Sequence, residues 1–69
     1  MMSRAQLSVF YSDDLDKKAI VYYNITEKRF EVDFSKNGLL VATESYPQHN
    51  EQYHEDAAEN YVMGIKTLT

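Results

Sequence analysis

One segment of the chain alternates strictly between apolar and polar side chains and then meets a tight-turn signal. Over residues 29–35, phenylalanine or valine alternates with charged or hydroxyl side chains. This period of two predicts an antiparallel strand with one buried face. Asn37 and Gly38 follow, and both residue types tolerate the positive φ angles of a tight hairpin loop. The segment therefore predicts a β-hairpin whose second strand covers residues 39–43.

The pairing register of this hairpin has two possible forms. A two-residue loop pairs Phe34 with Val41. The same loop places Glu31 directly opposite Glu44, and like charges in that position destabilise a sheet. A three-residue loop with a glycine bulge instead pairs Phe34 with Leu40 and separates the two carboxylates. The sequence therefore favours the bulged register.

Two further strands precede the hairpin. Residues 6–11 alternate, which places Leu7 and Phe10 on opposite faces of a strand. Residues 18–25 are rich in β-branched and aromatic side chains on both faces, as is typical of a central strand. The polar cluster over 12–17 suits a turn between these two strands.

Helical spacing begins at Glu51. The apolar half of the helical wheel consists of Tyr53, Ala57, Ala58, Tyr61, Val62 and Ile65. Two residues are candidate N-caps, Ser45 through its capping-box spacing and Asn50 immediately before the periodic segment. Gly64 either ends the helix in a left-handed conformation or lies inside a longer helix.

These patterns together predict a single small α+β domain over residues 1–69. It is a four-stranded antiparallel β-meander with one C-terminal amphipathic helix packed on one face, in the order ββββα. The helix is expected to meet the apolar face of the third strand through Ala57, Tyr61 and Ile65. A chain of 69 residues has room for one core only, and the absence of cysteine excludes disulfides as reinforcement.

The net charge of −4 belongs entirely to the C-terminal half of the chain. Residues 1–36 carry six basic and six acidic side chains, whereas 37–69 carry five acidic side chains and one basic. A nucleic-acid-binding protein normally shows a basic stripe that neutralises phosphates. The charge distribution therefore argues against nucleic acid as a partner and favours a protein with a basic surface.

The polar half of the predicted helix is the first candidate binding surface. Its members are Gln52, Glu55, Asp56, Glu59 and Met63. An exposed methionine among carboxylates suits a basic, partly apolar protein partner. The alternative is a solvated helix face without a function.

The sheet face that the helix leaves uncovered is the second candidate. Phe10, Ile20 and Tyr22 are expected to contribute to it. Exposed aromatic rings on a sheet can stack single-stranded bases, and tyrosine is also enriched in protein interfaces. A purely structural homodimer, formed through uncovered faces or edge strands, is a further alternative.

No motif in the chain predicts catalysis, a metal site or a cofactor. A nucleophile elbow is absent, and Gly38 and Gly64 alone cannot build a phosphate-binding loop. Glu51 and His54 form one E-x-x-H motif on one helix, where a di-iron site needs two such motifs from a bundle. The aspartates after Asp13 lack the glycine and glutamate of a calcium loop. We therefore expect a protein that is not an enzyme.

The sequence also contains no apolar run of membrane-spanning length and no long apolar leader, so we expect it in the cytoplasm. The segment from Glu55 to Ile65, which follows the Asn37-Gly38 turn, resembles the C-terminal part of small uncharacterised proteins encoded by bacteriophages. The resemblance covers roughly the last half of the chain. It implies an accessory protein made inside a bacterial host that binds a host protein stoichiometrically.

Overall fold

Four antiparallel strands in one sheet and a single C-terminal helix form the structure, as the sequence predicts. The computed structural model describes residues 3–14 and 16–65. The strands lie side by side in chain order, which makes the sheet a meander. The elements are β1 (Arg4–Tyr11), β2 (Lys17–Asn24), β3 (Arg29–Lys36), β4 (Leu39–Glu44) and α1 (Glu51–Val62).

The loop between β3 and β4 has two residues rather than three. Asn37 and Gly38 adopt φ angles of 53° and 82°, as a type I′ turn requires. Lys36 consequently pairs with Leu39 directly across the loop. The three-residue loop expected from the sequence is wrong.

A bulge inside β4 takes the place of the predicted glycine bulge. The register shifts at Val41, an extra residue on β4, so that Phe34 pairs with Ala42. The predicted partner of Phe34 is therefore wrong. The shift nevertheless moves Glu44 away from Glu31 and places it opposite a valine. The like-charge repulsion is thus relieved inside the strand and not at the turn.

The core lies between α1 and one face of the sheet. Its buried apolar residues are Ala19, Val21, Val32, Phe34, Ala58 and Tyr61. Phe10 pairs with Ala19 and packs against this core. Because directly paired residues share a face of the sheet, the prediction that Phe10 lies on the uncovered face is wrong.

The helix packs through a line of residues that includes the predicted Tyr61 but otherwise differs from the predicted line. His54, Ala58 and Tyr61 are its buried residues, at the i, i+4, i+7 spacing of one helical stripe. Ala57 lies at the margin of this stripe and is half-buried. The predicted contact of Ile65 with the sheet is wrong, because Ile65 follows the end of the helix and is exposed.

Gly64 ends the helix, which settles the choice between a cap and an interior position. Its φ of 82° is left-handed, and its N–H donates to the carbonyl of Tyr61 at 3.1 Å. The N–H of Ile65 donates to the carbonyl of Asn60 at 2.8 Å. These two bonds form a Schellman motif. Among the described residues, no helix has the length and apolar character needed to cross a membrane.

Asn50, and not Ser45, is the N-cap of α1. Its Oδ1 accepts a hydrogen bond from the N–H of Tyr53 at 3.1 Å. We expect Asn50→Ala to lower the free energy of unfolding by about 1 kcal/mol, because one N–H of the first turn loses its partner. Asn50→Asp keeps an acceptor and is the control. Equal urea midpoints for the alanine variant and the native chain would contradict this prediction.

Candidate functional site

The predicted acidic surface of α1 is exposed except at one residue. Gln52, Asp56, Glu59 and Met63 face solvent. Glu55 is half-buried, and its Oε2 accepts a hydrogen bond of 2.7 Å from Ser8 Oγ on β1. Glu55 therefore joins the helix to the sheet, and the surface available to a partner consists of the other four residues.

Carboxylates crowd together on this side of the helix. The side chains of Glu51 and Glu55 share a hydrogen bond, which raises the pKa of Glu51 above its ordinary value. No basic side chain lies in the last turn of α1, a helix whose residues are all described. The negative end of the helix dipole is therefore not offset by a cation on the helix itself.

The loop between β1 and β2 adds a second group of carboxylates, a segment whose sequence predicts a turn and lacks the pattern of a calcium loop. Ser12 is buried, and its Oγ lies 2.9 Å from Oδ1 of Asp14 and 3.0 Å from Oδ1 of Asp16. The N–H of Lys17 donates to the same Oγ at 3.0 Å. Hydrogen bonds with Asp16 and Ser12 lower the pKa of Asp14. The loop thus holds its carboxylates in place around one hydroxyl group.

A groove of about 510 Å³ separates this loop from the end of the helix, and we call it the acidic groove. Its acidic side chains are Asp13, Asp14 and Asp16, and its apolar ones are Tyr11, Val62 and Met63. Lys17 also contributes to the lining, with its Nζ lying 5.5 Å from the centre of the Tyr61 ring. The groove therefore combines a predicted helix residue, Met63, with three loop carboxylates that no sequence pattern indicates as a binding site.

The uncovered face of the sheet carries a charged network rather than open aromatic surface. The guanidinium of Arg4 lies 3.8 Å from the centre of the Tyr22 ring. Its Nη2 donates to Asp33 Oδ1 at 2.9 Å. Its Nε forms an ion pair with Glu31 Oε1 at 3.2 Å, without the alignment of a hydrogen bond. Burial lowers the pKa of Arg4, but the hydrogen bond with Asp33 and the charges of the two carboxylates raise the pKa by more. The net effect is a raised pKa, so Arg4 stays a cation.

Further bonds connect this network to three strands. Glu31 is buried, and its Oε2 accepts hydrogen bonds from Arg29 Nε at 2.9 Å and Asn24 Nδ2 at 3.2 Å. Asp33 Oδ1 also accepts from Thr43 Oγ1 at 2.8 Å. The network therefore fixes β2, β3 and β4 to the N-terminal strand that carries Arg4.

Of the three predicted sheet-face contacts, two lie on the uncovered face. Ile20 and Tyr22 are both half-buried there, whereas Phe10 is on the covered face. Arg4 covers the ring of Tyr22, and carboxylates lie next to Arg4. Base stacking needs an open ring and nearby cations, so this arrangement disfavours a nucleic-acid surface.

The two histidines have different surroundings. His54 is fully buried; its Nε2 accepts from the N–H of Tyr46 at 3.1 Å, and its Nδ1 lies 2.8 Å from the carbonyl of Asn50. Because an N–H only donates and a carbonyl only accepts, His54 is the neutral tautomer protonated at Nδ1. His49 is exposed and stacks on Tyr53 at 3.7 Å. Within the described residues, no group of three or more histidine, aspartate or glutamate side chains is arranged to hold a metal ion.

Comparison with known proteins provides no relative from which a function can be transferred. No protein-family model, no curated protein and no solved structure matches this chain. The resemblance of residues 55–65 to bacteriophage proteins therefore stays a prediction, and the acidic groove is the best candidate site on physical grounds.

Proposed function

We propose that the protein is a non-enzymatic binding module that engages a basic, partly apolar segment of another protein through the acidic groove. The observation that carries this proposal is that Asp13, Asp14 and Asp16 line the same groove as the exposed Met63. Carboxylates attract lysine or arginine side chains, and methionine adapts its shape to varied apolar contacts.

The electrostatics of the groove support a cationic ligand. The groove lies at the C-terminal end of α1, where the helix dipole adds partial negative charge to that of the loop. Its volume of about 510 Å³ is in the ordinary range for ligand sites. The chain as a whole has a net charge of −4, which favours association with basic partners and disfavours polyanions.

The exposed carboxylates of α1 extend the same surface along the helix. Asp56 and Glu59 face solvent, and Met63 belongs both to the helix and to the groove. A partner segment that follows the helix toward the groove therefore meets Asp56 and Glu59 before it reaches the loop carboxylates. Under this proposal the partner is a host protein, as the resemblance to bacteriophage-encoded proteins implies.

The engagement of two potentially catalytic side chains supports the non-enzymatic part of the proposal. Ser12 Oγ is held by Asp14 and Asp16 and by the N–H of Lys17. His54 has both ring nitrogens bonded to the backbone inside the core. Neither side chain is available as a nucleophile or a general base without local unfolding.

Charge reversal in the groove and on the adjoining helix face tests the proposal. The probe is a labelled peptide of alternating lysine and leucine, and its binding is measured by fluorescence anisotropy at low and at high salt. We expect Asp13→Lys and Glu59→Lys each to weaken binding by about tenfold at low salt, because a lysine repels the cationic peptide. Both side chains are exposed, so the fold should persist.

Glu27→Lys is the matched control for this experiment. Glu27 is exposed in the turn between β2 and β3, at the opposite end of the sheet from the groove. Glu27→Lys changes the net charge by the same amount as Asp13→Lys or Glu59→Lys and should leave the affinity within about twofold. Equal weakening of binding by all three variants would show that the loss of affinity reflects overall charge alone, which would contradict a site in the groove. Failure of the native chain to bind the peptide at low salt would overturn the proposal.

A further inference from the structure

The edge strand β4 is the most exposed apolar element of the fold. Helix α1 lies against β1, β2 and β3, and among the described residues it does not approach β4. Leu39, Leu40 and Val41 are consecutive and are 72%, 62% and 52% exposed. An edge strand also presents backbone N–H and C=O groups that its single neighbour does not bond. β4 therefore combines open hydrogen-bonding groups with open apolar surface.

The other edge of the sheet is better covered. Helix α1 contacts β1, and Ser8 of β1 is bonded to Glu55 of the helix. The usual protection of an edge consists of lysine, proline, a bulge or a covering element. β4 has only the bulge at Val41, and its residues Leu39–Thr43 carry no charge.

We infer that β4 binds β4 of a second copy of this chain in antiparallel orientation, so that the two sheets become one continuous sheet. Charged side chains near the two ends of β4 support this occupant and this orientation. Lys36 is the last residue of β3 and pairs with Leu39 at one end of β4, and Glu44 is the last residue of β4 at the other end. A two-fold antiparallel arrangement brings the basic end of one copy to the acidic end of the other. Parallel pairing would instead place the two Glu44 side chains together.

The small core gives the dimer a physical reason. Among the residues that the structure describes, six buried apolar side chains form the core cluster. The chain has no cysteine for a disulfide. Domains of this size commonly gain stability by oligomerisation. The acidic groove lies at the β1–β2 side of the sheet, away from β4, so a dimer presents two open grooves. The inference therefore stands or falls independently of the proposed function.

Sedimentation equilibrium tests the inference. We expect the mass to rise from 8.1 kDa toward twice that value as the concentration increases from about 10 μM to about 1 mM. Leu40→Lys should weaken the dimer at least tenfold, because it places a charge in the apolar edge. Ile25→Lys is the matched control, since Ile25 is 54% exposed but lies in the turn after β2, and it should dimerise like the native chain.

Amide chemical shifts of the native chain locate the interface. As the protein concentration rises, chemical-shift changes confined to residues 39–44 support pairing through β4. This measurement uses the native chain, so it tests the interface even where Leu40→Lys does not fold. A mass of 8.1 kDa at every concentration overturns the inference. A folded Leu40→Lys variant that dimerises as strongly as the native chain also overturns it. So do concentration-dependent shift changes that lie on β1 or on the uncovered sheet face.

Discussion

Replacing His54 with alanine is expected to lower the free energy of unfolding by about 4 kcal/mol, which is most of the stability of a domain this small. The imidazole is fully buried, and its ring lies 5.5 Å from that of Phe30 and 5.1 Å from that of Tyr46. Alanine leaves a cavity between these rings. It also leaves the N–H of Tyr46 without the acceptor at Nε2, which adds a desolvation penalty.

Two further variants separate the causes of this loss. His54→Phe retains the volume of a ring but makes neither hydrogen bond, so we expect it to cost about 2 kcal/mol. His49→Ala removes an exposed ring that stacks on Tyr53, and it should cost less than about 0.5 kcal/mol. Urea denaturation followed by far-UV circular dichroism measures all three. A His54→Ala variant as stable as His49→Ala would contradict the structural role of the buried imidazole.

The elements of the fold could be predicted because their signals are local. Asn37 and Gly38 permit positive φ by their own chemistry, and they form the turn wherever the strands lie. Asn50 and Gly64 likewise cap the helix through bonds to residues within one turn. Alternation along β3 identifies a strand with one covered face, and the helix covers that face.

Features that depend on register between distant residues could not be predicted. Phe10 lies on the covered face because it pairs with Ala19 on the next strand. No local sequence pattern specifies this pairing, because it depends on the loop between the two strands. The bulge at Val41 is a single extra residue in a short strand, and it leaves no signature in an alternation of five or six residues. One such slip reverses the face of each side chain beyond it.

The candidate site shows the same division. The helical wheel predicts Met63 as a surface residue, because exposure on a helix follows from spacing alone. It does not indicate the aspartates of the β1–β2 loop, because only the packing of α1 across the sheet brings the C-terminal end of the helix to that loop. Glu55 has the spacing of a solvated residue, yet Ser8 reaches it from β1. The spacing of residues along the helix or along the strand does not indicate a contact between the two elements.

Replacing Arg4 with alanine is expected to lower the free energy of unfolding by about 3 kcal/mol, the next largest loss after that of His54→Ala. Its side chain is 14% exposed and lies against the carboxylates of Glu31 and Asp33, which are themselves 7% and 15% exposed. Removing the cation leaves two poorly hydrated negative charges on neighbouring positions of β3. It also uncovers the ring of Tyr22.

Arg29→Ala is the natural comparison, because Arg29 bonds the same Glu31 from the surface. The Arg29 side chain is 47% exposed, so solvent screens its charge and the loss should be at most about 1 kcal/mol. The comparison therefore measures the effect of burial on one carboxylate with two arginine partners. Similar losses for the two variants in urea denaturation would contradict the assignment of Arg4 as the central cation.

Arg4→Met and Asp33→Asn complete the argument as a double-mutant cycle. Methionine keeps an apolar stem over Tyr22 but has no charge, and asparagine keeps the acceptor that Thr43 uses. We expect a coupling energy of about 1–2 kcal/mol between Arg4 and Asp33, since each loses a charged, poorly exposed partner when the other is replaced. If the double variant regains most of the stability that Arg4→Met loses, the network serves chiefly to keep this face polar and closed to association. Association would then be left to the apolar edge of β4, which carries no such network.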